Sequence, residues 1–247
     1  MKRNGEKITM LTAYDFTTAR ICTRAGIDAI LVGDSASNVV CGYSTTLPIS
    51  LDEMIFLAKN VMRGVIASES RSMVSTEGAI FNIGRVIKET YSHAIKLEGG
   101  VWLVPLIKRL TDMGIPVVSH IGLMPQFINQ TGGYFLQGKS EGDAELLLSQ
   151  AVEFERAGVK LLVLEKIPAT LAKLITQTIK IPTIGIGAGN DVDGQVLVIN
   201  DLLGMDENFK PKFVRRYADL ERAMTGAIKA YIQDVKSKSF PSGGESF

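Results

Sequence analysis

The stretch AILVGDS, residues 29–35, decides the fold, because an apolar run passes through a glycine and ends at a carboxylate, Asp34. The same order returns in AIKLEGG, residues 94–100, and in LLVLEKI, residues 161–167. An apolar run without alternation predicts a strand that is buried on both faces, which is typical of parallel sheets covered by helices. Charges that end several such strands require a common explanation.

The chain contains eight runs of this kind, with helical segments between them. Eight βα repeats in 247 residues match a (β/α)8 TIM barrel in count and size, and a doubly wound open sheet is the runner-up. No change in composition marks a second domain, so we expect one barrel domain over residues 1–247 with a loose tail from about residue 239. The predicted strands are KITMLTAYD (7–15), IDAILVGDS (27–35), VIAS (65–68), HAIKLEGG (93–100), IPVVSHIGL (115–123), VKLLVLEKI (159–167), IPTIGIGAG (181–189) and GQVLVINDLLG (194–204).

Local signals predict where several helices begin. Asp15 is a candidate N-cap of the first helix, and Ser50 with Glu53 predicts a capping box at the start of the next long one. Further helices are predicted over about residues 102–113 and 140–157, and an amphipathic helix over residues 221–239 closes the chain.

The overall composition excludes several classes of function. With 27 basic and 26 acidic residues the net charge is +1, which offers no broad surface for nucleic acid or for an anionic membrane. Two cysteines form no disulfide framework, and no spacing suggests a zinc site. No apolar run approaches the roughly 20 residues that span a bilayer. The start, MKRNGEKITM, lacks a signal-peptide stretch, so we expect a cytoplasmic protein without membrane partners.

In a (β/α)8 barrel, the active site lies where the carboxyl ends of the strands meet. Asp34 follows the second predicted strand, Lys96 and Glu98 end the fourth, His120 ends the fifth and Glu165 ends the sixth. These groups would repel or desolvate one another without a shared function, so the pattern predicts one charged site. Carboxylates without a thiolate or histidine cluster suit a hard cation such as Mg²⁺, and a nearby lysine suits an anionic substrate group.

Each of these residues also has a plain structural reading. A single acid after a strand is more often a helix cap or a solvated loop residue. Lys96 and Glu98 lie two apart on a strand, so they share a face and could simply neutralise each other. A histidine such as His120 is more often a hydrogen-bonded structural residue than a base. GIGAG, residues 185–189, is only a weak phosphate-loop pattern.

Nine motifs occur in order between about Ile8 and Lys236. They are MLTAYD, ILVGDS, GYSTTLPISLDEM, KLEGG, HIGLMPQ, GGYFLQGK, LVLEKIP, IPTIGIGAG and DGQVLVINDLLG. Together they resemble the ketopantoate hydroxymethyltransferase (3-methyl-2-oxobutanoate hydroxymethyltransferase) family. The resemblance implies a (β/α)8 barrel of the phosphoenolpyruvate/pyruvate type that assembles as a homo-oligomer, often a decamer.

The resemblance also implies an activity. A hydroxymethyl group would pass from 5,10-methylenetetrahydrofolate to 3-methyl-2-oxobutanoate, giving 2-dehydropantoate on the way to pantothenate and coenzyme A. Mg²⁺ would stabilise the enolate that forms when a base removes the proton on C3 of the 2-oxoacid. The partners expected are therefore this oxoacid and the folate.

The same resemblance implies a role for each matching residue. Asp34 would bind Mg²⁺ and substrate, and Ser35 beside it would contact the 2-oxoacid. Lys96 would pair with the substrate carboxylate, Glu98 would be a further acid of the metal site, and Glu165 would be the general base.

One stretch departs from the family. After NVMRG, residues 60–64, the family usually has a third strand ending in a DMPF-like motif whose aspartate binds the metal. This chain reads VIASESRSMVSTEGAI, residues 65–80, with Ser68 near the missing aspartate and Glu69 next to it. Either the sequence omits a stretch, or Glu69 supplies the oxygen, or the protein is a binding-only relative. Omission is favoured, because strand residues are lost as well as loop residues, and a barrel tolerates that poorly.

Two alternatives to the transferase stay open at this point. One is a carbon–carbon lyase of the same barrel type acting on a 2-oxoacid, which would be expected to carry a catalytic cysteine or extra loop acids. The other is a non-catalytic oligomeric scaffold or ligand sensor.

Overall fold

The computed structural model describes residues 1–65, 76–127, 133 and 135–247, without the side chains of Thr76, Glu77 and Phe127. The predicted third strand beyond Val65, with Ser68 and Glu69, lies outside the described residues. The chain divides into two compact units, residues 1–198 and residues 199–247, and each is described by itself below. The expectation of one domain over residues 1–247 stays a prediction.

The first unit is built on a sheet of seven parallel strands in the order β2-β1-β7-β6-β5-β4-β3. The sheet is curled and flanked by helices, which confirms the (β/α)8 barrel class. Seven of the eight predicted strands are therefore found among the described residues. They are β1 (Ile8–Thr12), β2 (Ala29–Leu31), β3 (Ile95–Glu98), β4 (Val117–Gly122), β5 (Leu161–Glu165), β6 (Thr183–Ile186) and β7 (Gly194–Leu197).

Helices connect these strands and continue into the second unit. No helix of the described part of the chain is long and apolar enough to cross a membrane. The α-helices are α1 (Phe16–Arg24), α2 (Ala36–Val39), α3 (Leu51–Gly64), α4 (Thr76–Thr90), α5 (Val104–Asp112), α6 (Glu141–Arg156), α7 (Ala169–Thr178), α8 (Ile199–Leu203) and α9 (Leu220–Ser237), and the 3-10 turns are Lys2–Asn4, Val101–Leu103, Pro125–Phe127 and Gly243–Glu245.

The predicted helix starts are confirmed. The Asp15 carboxylate accepts a hydrogen bond from the backbone N–H of Thr18, 2.9 Å away, at the start of α1. Ser50 and Glu53 form the reciprocal capping box of α3. The prediction of one strand over residues 194–204 is wrong in extent, because β7 ends at Leu197 and α8 begins at Ile199.

The two faces of the sheet carry different side chains, since successive residues of a strand point in opposite directions. Ile95 and Leu97 of β3 pack in the large apolar cluster that includes buried residues of the helices. Val118 of β4 and Val163 of β5 belong to a second cluster, formed with apolar residues of the other strands. This second face points into the barrel, and alternation places on it the predicted site residues of β3, β4 and β5.

Candidate active site

Lys96 and Glu98 form a buried ion pair at the end of β3. Lys96 Nζ lies 2.6 Å from Glu98 Oε1, and the two side chains are 9% and 1% exposed. The sequence predicted that two residues spaced by two would share a face, and this contact confirms it. The pair places a positive and a negative group together where water has little access.

His120 extends this pair towards β5. Its Nδ1 lies 2.9 Å from Glu98 Oε1, and its Nε2 lies 3.3 Å from Glu165 Oε2. Both distances are those of ion pairs, but neither ring nitrogen makes an aligned hydrogen bond. A chain of four ionisable groups therefore runs from Lys96 through Glu98 and His120 to Glu165.

The surroundings of His120 change its protonation. Burial lowers the pKa of the imidazole, and the charge of Lys96 acts in the same direction. The negative charge of Glu98 and the contacts with Glu98 and Glu165 outweigh both, so the pKa lies above its ordinary value. The two carboxylates thus favour the charged ring in this buried position.

Glu165 is held by its backbone at the last position of β5. Its carbonyl accepts a hydrogen bond from the N–H of Leu123, 2.8 Å away. Gly122, opposite Glu165 in the strand register, has a positive φ of 96°, and a Cβ there would lie 2.2 Å from the Glu165 carbonyl oxygen. Only glycine permits this approach, so β4 and β5 can close together beneath the Glu165 carboxylate.

Asp34 and Ser35 lie after β2, at the other end of the strand order from β3. Asp34 is 8% exposed. The hydroxyl oxygen of Ser35 lies 2.7 Å from that of Tyr14, a buried residue just after β1. The sequence did not single out Tyr14, although its place directly after a buried strand is the same signal that identified Asp34.

The described residues offer few oxygen ligands for a divalent ion. Among the described residues, no group of three or more histidine, cysteine, aspartate and glutamate side chains could hold a metal. Mg²⁺ is usually bound by only one or two carboxylates together with waters and substrate oxygens, so the Asp34 carboxylate fits this ion. Glu98 Oε1 already contacts Lys96 and His120, which suits a supporting acid better than a direct ligand.

The structure thus brings Lys96, Glu98, His120 and Glu165 together at the ends of their strands. The sequence placed His120 in the predicted charged site but assigned it no role, and a structural role was its plain reading. Its position between two acids follows from the pairing of β3, β4 and β5, which one strand alone does not reveal. The common site of these residues with Asp34 stays a prediction.

Solved structures with the same architecture define the class. A phosphonopyruvate hydrolase in complex with oxalate and Mg²⁺ superposes with a TM-score of 0.62 at 11% identity, over 98% of this chain and 89% of that one. A 2,3-dimethylmalate lyase of the PEP mutase/isocitrate lyase superfamily gives 0.59 at 16% identity, over 98% and 86%. These likenesses show the fold: the protein is a (β/α)8 barrel, and it carries a cluster of acidic and basic groups at the carboxyl ends of its strands.

Sequence comparison gives the family. A family model described as ketopantoate hydroxymethyltransferase matches residues 1–243. Proteins named 3-methyl-2-oxobutanoate hydroxymethyltransferase from Chlorobium phaeobacteroides and Prosthecochloris aestuarii are 53% and 54% identical, each over 100% of this chain and 93% of the relative. The chain belongs to the ketopantoate hydroxymethyltransferase family, and it is a transferase.

These relatives bear on the alternatives. The 2,3-dimethylmalate lyase shares the barrel at only 16% identity, whereas the two hydroxymethyltransferases are more than half identical to this chain. The chain is therefore a transferase, and the alternative of a carbon–carbon lyase is set aside. Each alignment spans 258 positions against 247 residues of this chain, so the relatives carry residues that it lacks. A chain shorter than its relatives is what the sequence analysis indicated, since several residues of the family pattern are absent after Gly64.

Proposed function

We propose that the protein transfers a hydroxymethyl group from 5,10-methylenetetrahydrofolate to 3-methyl-2-oxobutanoate, giving 2-dehydropantoate and tetrahydrofolate. The family supports the reaction. The single structural observation that carries the assignment is the buried chain from Lys96 through Glu98 and His120 to Glu165. Such a chain supplies both a fixed positive charge for an oxoacid and a carboxylate to accept its proton.

Glu165 is the proposed general base. Its carboxylate takes the proton from C3 of the oxoacid, and the electron pair of the broken C–H bond remains on the substrate as an enolate. The nucleophilic C3 then forms the new carbon–carbon bond to the one-carbon unit. This unit reacts at the oxidation level of formaldehyde: its two C–N bonds to the folate break, it keeps the oxygen of one water, and the two water protons pass to the folate nitrogens as tetrahydrofolate leaves. The proton held by Glu165 returns to the new alkoxide oxygen, so all atoms and charges balance. Glu165 is 18% exposed, so it remains accessible to a substrate.

Lys96, Asp34 and Ser35 are the proposed binding groups for the oxoacid. The Lys96 ammonium lies in a buried position where its charge acts strongly on a carboxylate. Asp34 would hold Mg²⁺, with Glu98 as a supporting acid. When bound there, the ion would supply Lewis-acid polarisation of the 2-oxo group.

One exchange assay tests this proposal directly. In D2O with the protein and Mg²⁺, 3-methyl-2-oxobutanoate should lose the NMR signal of its C3 proton even when no folate is present. Product should form only when the folate is added. Glu165→Gln should lower the exchange rate by at least about 100-fold, the scale of general-base catalysis. Glu145→Gln, on the exposed surface of α6, should exchange at the unaltered rate.

Failure of the unaltered protein to exchange the proton or to form product would overturn the proposal. Exchange by Glu165→Gln at the full rate would remove Glu165 from its role and leave the reaction class intact. Removal of Mg²⁺ with EDTA should abolish both the exchange of the C3 proton and the formation of product. Recovery of both on adding Mg²⁺ back would support the part of the ion in the reaction.

The family resemblance also favours a homo-oligomer, and one feature of the second unit supports this. Helix α9 has 18 residues, none of which is buried. Met224, Ile228, Tyr231 and Val235 share one face and are 43% to 58% exposed. Isolated helices are marginal in water, so we propose that a second copy of the chain covers this face. The decamer and the cytoplasmic location stay predictions.

A further inference from the structure

His120 is buried in the sheet, although no role was assigned to it from the sequence. The chain has two histidines, of which His93 is exposed and His120 is 1% exposed. Burial of a polar ring is unfavourable unless the ring nitrogens meet partners. At both nitrogens of His120 those neighbours are carboxylates.

The strand register explains how one ring reaches two acids. His120 pairs with Glu98 across β3 and β4, and with Val163 across β4 and β5. Glu165 lies two residues beyond Val163, on the same face of β5. Nδ1 therefore faces Glu98 at 2.9 Å, and Nε2 faces Glu165 at 3.3 Å.

We propose that His120 is a positioning residue that fixes the carboxylate of Glu165 for removal of the C3 proton. This inference rests on the proposed function of Glu165. The glutamate side chain has three rotatable bonds, and its neighbour is a ring held inside the sheet. Contact of Nε2 with Oε2 restricts the carboxylate and leaves Oε1 as the oxygen that we assign to the proton transfer.

The absence of an aligned hydrogen bond at Nε2 is compatible with this role. Catalytic hydrogen bonds are often long or poorly aligned without substrate, and they tighten in the complex. At 3.3 Å, Nε2 of His120 and Oε2 of Glu165 are already within the distance of a hydrogen bond, and only its alignment is lacking.

Two variants distinguish this role from general support of the fold. The amide nitrogen of glutamine reaches about as far as histidine Nε2, whereas that of asparagine reaches only about as far as Nδ1. Both remove the ring, but only His120→Gln can still contact Glu165. We expect His120→Gln to lose about 10-fold in C3 exchange and His120→Asn about 100-fold, the cost of a misplacement of about 1 Å. The KM for the oxoacid should change by less than about 3-fold in either variant.

His93→Asn is the matched control, and it should exchange at the unaltered rate. Equal exchange by the two His120 variants, or faster exchange by His120→Asn, would overturn the inference while the proposed function stands. Absence of exchange in the unaltered protein would overturn the proposed function, and this inference with it.

A second measurement needs neither activity nor a folded His120 variant. Protein labelled with ¹⁵N at histidine has only two rings to assign, and His93→Asn identifies them. In magic-angle-spinning NMR, Glu165→Gln should shift the Nε2 resonance of His120 by several parts per million and leave His93 unchanged. An unmoved Nε2 resonance would show that the ring does not hold Glu165, and would overturn the inference.

Discussion

The hydroxyl groups of Tyr14 and Ser35 lie 2.7 Å apart and join the ends of β1 and β2. Tyr14 is 4% exposed, so its ring is fixed, whereas a serine hydroxyl rotates freely unless it is bonded. Ser35 is a proposed contact for the 2-oxoacid. Tyr14 therefore determines in which direction the Ser35 hydroxyl is available to substrate.

A double-mutant cycle measures this coupling. Tyr14→Phe and Ser35→Ala should each weaken binding of 3-methyl-2-oxobutanoate about 5-fold in the presence of Mg²⁺, because each removes about one net hydrogen bond. The double variant should bind as weakly as Ser35→Ala alone, since Tyr14 acts through Ser35. Calorimetric titration gives the dissociation constants. Tyr91→Phe, at a tyrosine that is 77% exposed, is the control. Additive losses in the double variant would contradict the coupling.

The buried pair of Lys96 and Glu98 should contribute far more to stability than an exposed pair. Lys96→Met removes one charge and leaves Glu98 buried, which should lower the free energy of unfolding by about 3 kcal/mol. Urea denaturation measures this change. The same variant should raise the KM for the oxoacid, because Lys96 is the proposed partner of the substrate carboxylate.

Lys108→Met is the matched control for this change. Lys108 pairs with Asp112 at 3.3 Å on the surface of α5, where the side chains are 68% and 64% exposed. Loss of such a pair should cost less than about 1 kcal/mol and leave KM unaltered. Equal destabilisation by the two substitutions would show that burial does not strengthen the Lys96 pair.

The predictable part of the fold rests on local signals. The apolar runs before Asp34, Lys96 and Glu165 identify buried parallel strands without knowledge of their neighbours, and Asp15 marks a helix start because a cap bonds only three residues away. The end of β7 at Leu197 was not predicted, because the local apolar pattern does not change there. The run continues to Leu203, and an apolar pattern does not separate a strand from a following short helix.

The candidate site depends on pairing between strands, which sequence alone does not give. Lys96 and Glu98 were predicted to share a face because they lie two apart on one strand. The place of His120 between Glu98 and Glu165 requires the register of three strands, and the contact of Tyr14 with Ser35 requires two loops to meet. The sequence therefore placed His120 in the charged site, but it could not show that the ring contacts both acids.

Asp201, in α8 of the second unit, should make stability depend on pH. Burial raises the pKa of its carboxyl to about 6, the charge of Asp206 adds to the rise, and Arg216 opposes it. The folded state therefore holds a proton that the unfolded state releases between about pH 4 and pH 6, so stability falls as pH rises through this range.

Asp201→Asn removes this titrating group, and the free energy of unfolding should then decline less between pH 4 and pH 6 than in the unaltered protein. Denaturation series at several pH values measure the difference. Asp219→Asn, at an exposed aspartate of the same unit, should leave the pH dependence unaltered. Parallel curves for Asp201→Asn and the unaltered protein would contradict the raised pKa.

The exposed apolar face of α9 predicts how the protein associates. Ile228→Glu places a charge at the middle of this face, where contact with a second copy would have to desolvate it. The mass measured by light scattering during size-exclusion chromatography should fall by at least about half. Gln233→Glu adds the same charge on the opposite side of the helix, because nine residues from Met224 correspond to about half a turn beyond two full turns. That variant should retain the mass of the unaltered protein, and an Ile228→Glu protein of undiminished mass would place the subunit contact elsewhere.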